Sequence, residues 1–235
     1  MIKKINNAIQ IFRDLEPSEG YYLAFSGGKD SVVIKHLAIA AGVKFDAHYS
    51  VTTIDPPELI YFIREHHKDV IWDRPKEPFL TRLVNKGFPI RQRRWCCEQY
   101  KEHGGEGRFV VLGIRSDESP RRKDRWKIVS TCMPKNKRML CPILDWTEGE
   151  VWWFIGNRNL PYCKLYNEGL KRLGCLLCPM KSPKQRMIEV QRYPGYTDAF
   201  IQAFIKLYNN RKKQGKKSVD RWKDGEDMFK WWISG

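Results

Sequence analysis

The sequence predicts an α/β fold with a doubly wound, mainly parallel sheet and a helical, cysteine-bearing C-terminal extension. Three observations predict it. Short apolar runs alternate with segments of helical period through the first half of the chain. A glycine-rich turn, SGGKDS (Ser26–Ser31), follows the first of those runs and opens a helix. Beyond Leu140 the alternation gives way to helical patterning around a CxxC pair, Cys175 and Cys178.

The elements follow in order. Ile5, Ile9, Phe12 and Leu15 recur at helical spacing, which predicts a leading helix over 1–15. YYLAF (Tyr21–Phe25) is short and bounded by a turn, hence a buried strand. The helix after Asp30 stops at Gly42. KFDAHYSV reads as a second strand, and Pro56–Pro57 start a helix that runs to about His67. DVIW is a third strand, FLTRLVNKG a helix ending at Gly87, and RFVVLGI (Arg108–Ile114) a fourth strand. Thr147 with Glu150 forms a capping box that starts a helix, and DAFIQAFIKLYNN is the clearest amphipathic piece of the tail. The expected division is 1–145 for a nucleotide-binding α/β domain and 146–235 for a helical extension packed on it.

Lys and Arg outnumber Asp and Glu 43 to 27 in 235 residues, a net charge of +16, which favours a polyanionic partner over a plain solvated surface. The cations cluster in RQRR (Arg91–Arg94), RRKDRWK (Arg121–Lys127) and RKKQGKK (Arg211–Lys217). No apolar stretch approaches the ~20 residues of a membrane span, and the N-terminus lacks the apolar core of a signal peptide. A cytoplasmic protein with no membrane partner is expected. Reductants there would keep the seven cysteines free.

SGGKDS lacks the spacing of a Walker A loop but shares its physics: glycines let backbone amides approach a phosphate, and the following helix adds its positive end. Ser26 and Ser31 add hydroxyls and Lys29 adds charge. Asp30 suits a capping or orienting role, or a metal ligand, better than a phosphate contact. RSDES, after Ile114, would lie on the same sheet edge. Cys96–Cys97 and Cys175–Cys178 form the strongest chemical constellation. A CxxC alone fits a zinc half-site or a redox pair, but tandem cysteines are a poor zinc pair and ligation by four cysteines suits iron–sulfur clusters. Arg93, Arg94 and Lys101 flank the tandem pair, either as a solvated basic loop or to steer an anion.

These segments resemble the phosphoadenylylsulfate (PAPS) reductase family of the PP-loop, or adenine-nucleotide α-hydrolase, superfamily. The hexapeptide is similar to the family's pyrophosphate loop. LGIRSDESPRR (Leu112–Arg122) is similar to its GxRxxES-x-x-R segment, and CPILDWTEGEVWWFI with LPYCKLYNEGLKRLGCLLCP to its later motifs. The resemblance implies a PP-loop ATP pyrophosphatase-like sheet. Ser26, Gly27, Gly28, Lys29, Asp30 and Ser31 would cradle the phosphates of ATP or the equivalent anion of PAPS or adenylylsulfate (APS). Gly113, Arg115, Glu118, Ser119 and Arg122 would form the facing wall, and Lys29, Asp30, Arg115 and Glu118 the catalytic set. Adenine would lie near His48–Val51, and Mg2+ is expected with the triphosphate. A CC pair with a distant CxxC resembles the [4Fe–4S] motif of cluster-containing adenylylsulfate reductases and of the pyrophosphatase of DNA phosphorothioation systems, which makes Cys96, Cys97, Cys175 and Cys178 the metal ligands.

The family's sulfonucleotide reductases also carry a nucleophilic cysteine near the C-terminus, and no cysteine follows Cys178 in this sequence. Cys132, Cys141 or Cys163 could replace it, although each reads more simply as a small buried residue. The leading expectation is therefore an ATP pyrophosphatase-type sulfurtransferase. It would activate an acceptor, a nucleic acid as in DNA phosphorothioation or tRNA thiolation, with sulfur from a donor such as a cysteine desulfurase. Sulfonucleotide reduction is the alternative, and a non-catalytic nucleotide- or nucleic-acid-binding module, in which Trp126, Trp222, Trp231 and Trp232 stack on bases, is a third reading. An oligomer is compatible with all three.

Overall fold

A computed structural model of the chain describes residues 1–132 and 136–235, leaving aside the side chains of Arg121 and Cys132. The described residues form two compact units. The first comprises Met1–Val51, Pro57–Asp73 and His103–Leu173; the second comprises Thr52–Pro56, Arg74–Glu102 and Gly174–Gly235. This differs from a cut at residue 145. Residues 146–173 pack with the sheet, and 74–102 joins the helical tail, because each segment's apolar side chains complete the core of that unit.

The first unit is built on a sheet of six strands among the described residues: β1 (Tyr21–Ala24), β2 (Phe45–Ser50), β3 (Ile71–Asp73), β4 (Phe109–Val111), β5 (Val129–Cys132) and β6 (Lys137–Leu140), in the order β3-β2-β1-β4-β6-β5. All pairs are parallel except β5 with β6. Tyr21 lies opposite Phe45, and Leu23 lies between Ala47 and Val111. A central parallel strand is covered on both faces, which is why YYLA is a continuous apolar run with Tyr21 and Leu23 wholly buried. The α/β class is as expected. The β5–β6 pair was not: β6, KRML, begins with two cations and does not alternate, and it is recruited by the free edge of β4.

Helix α1 (Ile2–Asp14) turns Ile5, Ala8 and Phe12 inward and packs on α2 (Lys29–Ala41). Gly42 ends α2 in the left-handed region, φ 72°, returning its N–H to the Ile39 carbonyl. Helix α3 (Pro57–His66) buries Leu59, Phe62 and Ile63. The short helices α4 (Phe79–Lys86) and α5 (Trp95–Tyr100) belong to the second unit, and α6 (Pro120–Arg125) follows β4. Helix α7 (Glu148–Asn157) starts with the expected capping box, the Thr147 hydroxyl accepting from the Glu150 amide at 3.2 Å, and it packs on α2.

The second unit gathers α4 and α5 with α8 (Pro183–Arg192), α9 (Pro194–Lys213) and α10 (Gly225–Ser234). Its core is aromatic: Phe79, Phe200, Phe204, Phe229 and Trp232 are all buried. The Trp232 indole N–H donates to the Pro89 carbonyl at 2.7 Å, tying α10 to the segment after α4. Among the described residues no helix is long and apolar enough to cross a membrane.

Candidate functional site

The SGGKDS loop leaves the C-terminal end of β1 and becomes the first turn of α2, with Gly28 as its cap. Gly27 sits at φ 72°, and a Cβ there would stand 2.6 Å from Leu59 and 2.8 Å from Ile63 of α3. Only glycine satisfies both demands, so the tight turn is a packing requirement of the fold. The loop is held from within. The Ser31 hydroxyl donates to the Gly28 carbonyl at 2.8 Å, and the Gly28 amide reaches the Ser26 hydroxyl at 3.4 Å.

Two partners come from far along the chain. The Tyr166 hydroxyl accepts from the Lys29 amide at 2.9 Å, so a residue of the PYCKLY segment covers one of the helix's open donors. The Lys29 side chain is 2% exposed. Its ammonium donates to the Lys171 carbonyl at 2.9 Å and lies 3.4 Å from Glu148 and 3.8 Å from Asp30. This cation is held by the chain's own acceptors. The closeness of Tyr166, Glu148 and the Lys171 carbonyl to Lys29 is not legible in the sequence, because nothing in their spacing places them beside a loop more than a hundred residues away.

The facing wall comes from the segment after β4, the strand next to β1. Gly113 passes so close to α2 that a Cβ there would meet the Asp30 backbone at 3.0 Å. Arg115, 3% exposed, donates from Nε to Asp30 Oδ1 at 2.5 Å and from Nη1 to Asp117 at 3.2 Å. Burial alone would lower its pKa; the Asp30, Glu118 and Asp117 carboxylates overcome that and raise it. Asp117 also accepts from the Glu148 amide at 3.0 Å, joining this wall to α7. Glu118 is gripped by Arg122 and lies 3.1 Å from Arg172. Ser119 caps α6, accepting from the Arg122 amide at 3.3 Å. Ser26, Gly27, Gly28, Lys29, Asp30, Ser31, Gly113, Arg115, Glu118, Ser119 and Arg122 thus all lie in one region of the first unit.

His48, placed near the adenine by resemblance, stacks on Tyr22 at 4.2 Å and stands between Asp46 and Asp73, the latter 3.1 Å away. Cys141 and Cys163 are wholly buried, and burial pushes the Cys141 thiol up to about 12 and raises Cys163 as well. The Cys132 side chain lies outside the described residues.

The second unit brings the other four cysteines together. Cys96 is within electrostatic reach of Cys97, Cys175 and Cys178. Cys96 hydrogen-bonds to Cys97, which lowers the Cys97 pKa and raises that of Cys96; Lys101 and Arg94 support the Cys97 thiolate. The Arg94 guanidinium is 4.0 Å from its sulfur. Lys101 is an exposed residue whose ammonium hydrogen-bonds to Cys175. Its pKa is raised first by Cys175, with Asp55 and Cys97 adding to the effect. The Leu176 amide donates to the Ile54 carbonyl at 2.8 Å, anchoring the CxxC turn. Among the described residues no group of three or more His, Cys, Asp or Glu side chains is arranged to hold a metal ion.

The phosphoadenosine phosphosulfate reductase domain, as a family model, matches residues 20–181. The chain belongs to that family. Adenosine 5'-phosphosulfate reductase 2 of Bacillus subtilis (strain 168) is 31% identical over 130 residues, covering 51% of this chain and 54% of that protein. A probable FAD synthase of Caenorhabditis briggsae is 25% identical over 242 residues, 92% of this chain and 40% of that one. The crystal structure of PAPS reductase from Candida auris matches 73% of this chain and 87% of its own, with a TM-score of 0.57 and 15% identity, a likeness of fold. The chain spans about half the length of the curated relatives it matches. The SGGKDS loop, Arg115 and the PYCKLY segment all lie within the matched residues.

Proposed function

We propose that the first unit binds ATP and promotes attack on its α-phosphate, and that the activated acceptor, a nucleic acid, then receives sulfur. The observation that carries this reading is the double cradle: the SGGKDS turn opening α2, faced by Arg115 locked onto Asp30. The amides after Gly27 and the Ser26 and Ser31 hydroxyls would hold the β- and γ-phosphates. Arg122 and Arg172, both borne by Glu118, would meet charge developing at the α-phosphate. An acceptor oxygen forms a bond to the α-phosphorus as the bond to the β-phosphate oxygen breaks, and pyrophosphate leaves into the loop. A sulfur nucleophile then displaces AMP from the acceptor. Lys29 holds Lys171, Glu148 and Asp30 in register rather than reaching outward. Both Asp30 oxygens face cations, which does not suit a Mg2+ ligand, so Mg2+ is assigned to the triphosphate alone and no step runs through it.

Cys96, Cys97, Cys175 and Cys178 would be the donor set for a [4Fe–4S] cluster: the four thiols lie in one unit within electrostatic reach of one another, with Lys101 and Arg94 to offset thiolate charge, and they would have to converge on the cluster, since among the described residues no three are already arranged around a metal position. When bound, the cluster would supply a site to carry sulfur or electrons.

Sulfonucleotide reduction is the second reading, favoured by the identity with an adenosine 5'-phosphosulfate reductase. Against it, Cys141 and Cys163 are buried with raised pKa values, unfit to attack a sulfate sulfur. The test is to offer anaerobically purified protein ATP or adenylylsulfate with thioredoxin. Pyrophosphate from ATP without sulfite supports the first reading, and sulfite without pyrophosphate replaces it. FMN belongs in the same assay as a rival acceptor, given the relative named as a FAD synthase.

A further inference from the structure

The second unit holds a cavity of about 580 Å3 whose lining includes Arg93, Trp95, Arg211, Arg221, Trp222 and Trp231. Among the described residues no carboxylate lines it. The Arg221 guanidinium lies 3.9 Å from the centre of the Trp222 ring and 4.6 Å from that of Trp231, so both indoles face one cation. Trp222 is 5% exposed, and its Nε1 is buried without a hydrogen-bond acceptor among the described residues. Arg211 is half-buried, and burial, with no carboxylate to oppose it, lowers its pKa. Trp231 stays 43% exposed at the rim.

The wall therefore offers cations and flat aromatic faces, and among the described residues it lacks carboxylates. A ligand that complements it carries an anion and a planar ring. We propose that this cavity binds a nucleotide unit, its phosphate on Arg93, Arg211 and Arg221 and its base on the exposed face of Trp231. The unit is either a free nucleotide or one residue of a single-stranded nucleic acid. The inference concerns the acceptor of the proposed reaction and stands or falls apart from the ATP loop, since it is tested without ATP.

The test uses the full chain and two probes: a short fluorescein-labelled oligothymidylate followed by anisotropy, and thymidine monophosphate followed by tryptophan fluorescence. Trp231→Ala is expected to weaken binding about 5- to 100-fold, the effect of losing one base stack. Arg211→Gln is expected to reduce the salt dependence of oligonucleotide binding by about 0.7 in log–log slope. Trp153→Ala, removing an exposed tryptophan of the first unit, should leave binding unchanged. Thermal melts of each variant separate lost binding from lost folding. Binding of the oligonucleotide alone assigns the cavity to a strand, and equal binding of the monophosphate assigns it to a free nucleotide. Failure of both probes to bind, or wild-type affinity in both Trp231→Ala and Arg211→Gln, overturns the proposal.

Discussion

The Tyr166 hydroxyl accepts a hydrogen bond from the Lys29 amide at 2.9 Å, joining residues 137 positions apart at the SGGKDS turn. That amide is one of the donors an anion at the start of α2 would use. The Tyr166 phenol oxygen therefore occupies the acceptor position that an anion's oxygen would take at this amide. Burial raises the Tyr166 pKa, so the hydroxyl is protonated and neutral at any ordinary pH.

Tyr166→Phe should lower the stability of the nucleotide-free protein by about 1 kcal/mol, the usual worth of one hydrogen bond whose partner is left behind. With saturating ATP the deficit should shrink, because phosphate supplies the acceptor. Thermal melts of both proteins, with and without nucleotide, check this. A deficit that ATP leaves unchanged would mean that the phosphate does not use the Lys29 amide.

Gly27 and Gly42 share φ 72° but differ in surroundings: Gly27 abuts Leu59 and Ile63, whereas nothing lies within 4 Å of a Cβ at Gly42. Gly42→Ala should cost about 1 kcal/mol, the left-handed penalty alone, and leave ATP affinity intact. Gly27→Ala should cost clearly more and abolish ATP binding. Urea melts and calorimetric titration with ATP separate the two.

Arg115 and Asp30 form a largely buried pair, with side chains 3% and 19% exposed. Arg115→Met leaves Asp30 close to Lys29 but without its main partner, and a loss of about 3 kcal/mol is expected. Pyrophosphate release from ATP should fall with it. The double variant Arg115→Met with Asp30→Leu should recover much of the stability and none of the activity, which distinguishes a charge left unpaired from a general packing defect.

His67 provides a pH signature. It is 2% exposed, its ring packs on Phe25 and Phe62, and Lys35 stands 3.3 Å from Nδ1. Burial first, then the Lys35 charge, pushes its pKa down to about 3. The folded protein keeps His67 neutral where the unfolded chain would protonate it, so unfolding takes up a proton. The stability due to this histidine is complete above about pH 6.5 and is lost as pH falls toward 3, by up to about 1.4 kcal/mol per pH unit. His67→Gln should flatten that slope in urea melts between those limits; parallel slopes would show that the histidine titrates normally.

The four-cysteine set predicts a coloured protein under anaerobic purification. Serine in place of any one of Cys96, Cys97, Cys175 or Cys178 should reduce bound iron and the broad visible absorption, whereas Cys141→Ser should not. A colourless protein carrying stoichiometric zinc would refute the cluster.

The amino-acid sequence by itself determined the strand–helix alternation through β4, the Gly42 stop, the Thr147–Glu150 cap and the identity of the glycine loop. Each depends on residues close in sequence, where side-chain period and turn chemistry act directly. Only the tertiary structure decided that β6 pairs with β4, that residues 74–102 join the tail, and that Tyr166, Glu148 and the Lys171 carbonyl close on Lys29. The β6 sequence, KRML, shows no alternation, so the β5–β6 pair exists through pairing with the free edge of β4 and has no local signal. Likewise the RQRRWCC and GCLLCP segments are separate loops in sequence. It is the shared aromatic core of α4, α5, α9 and α10 that brings the two cysteine pairs into one unit, and that core depends on contacts no short-range pattern encodes.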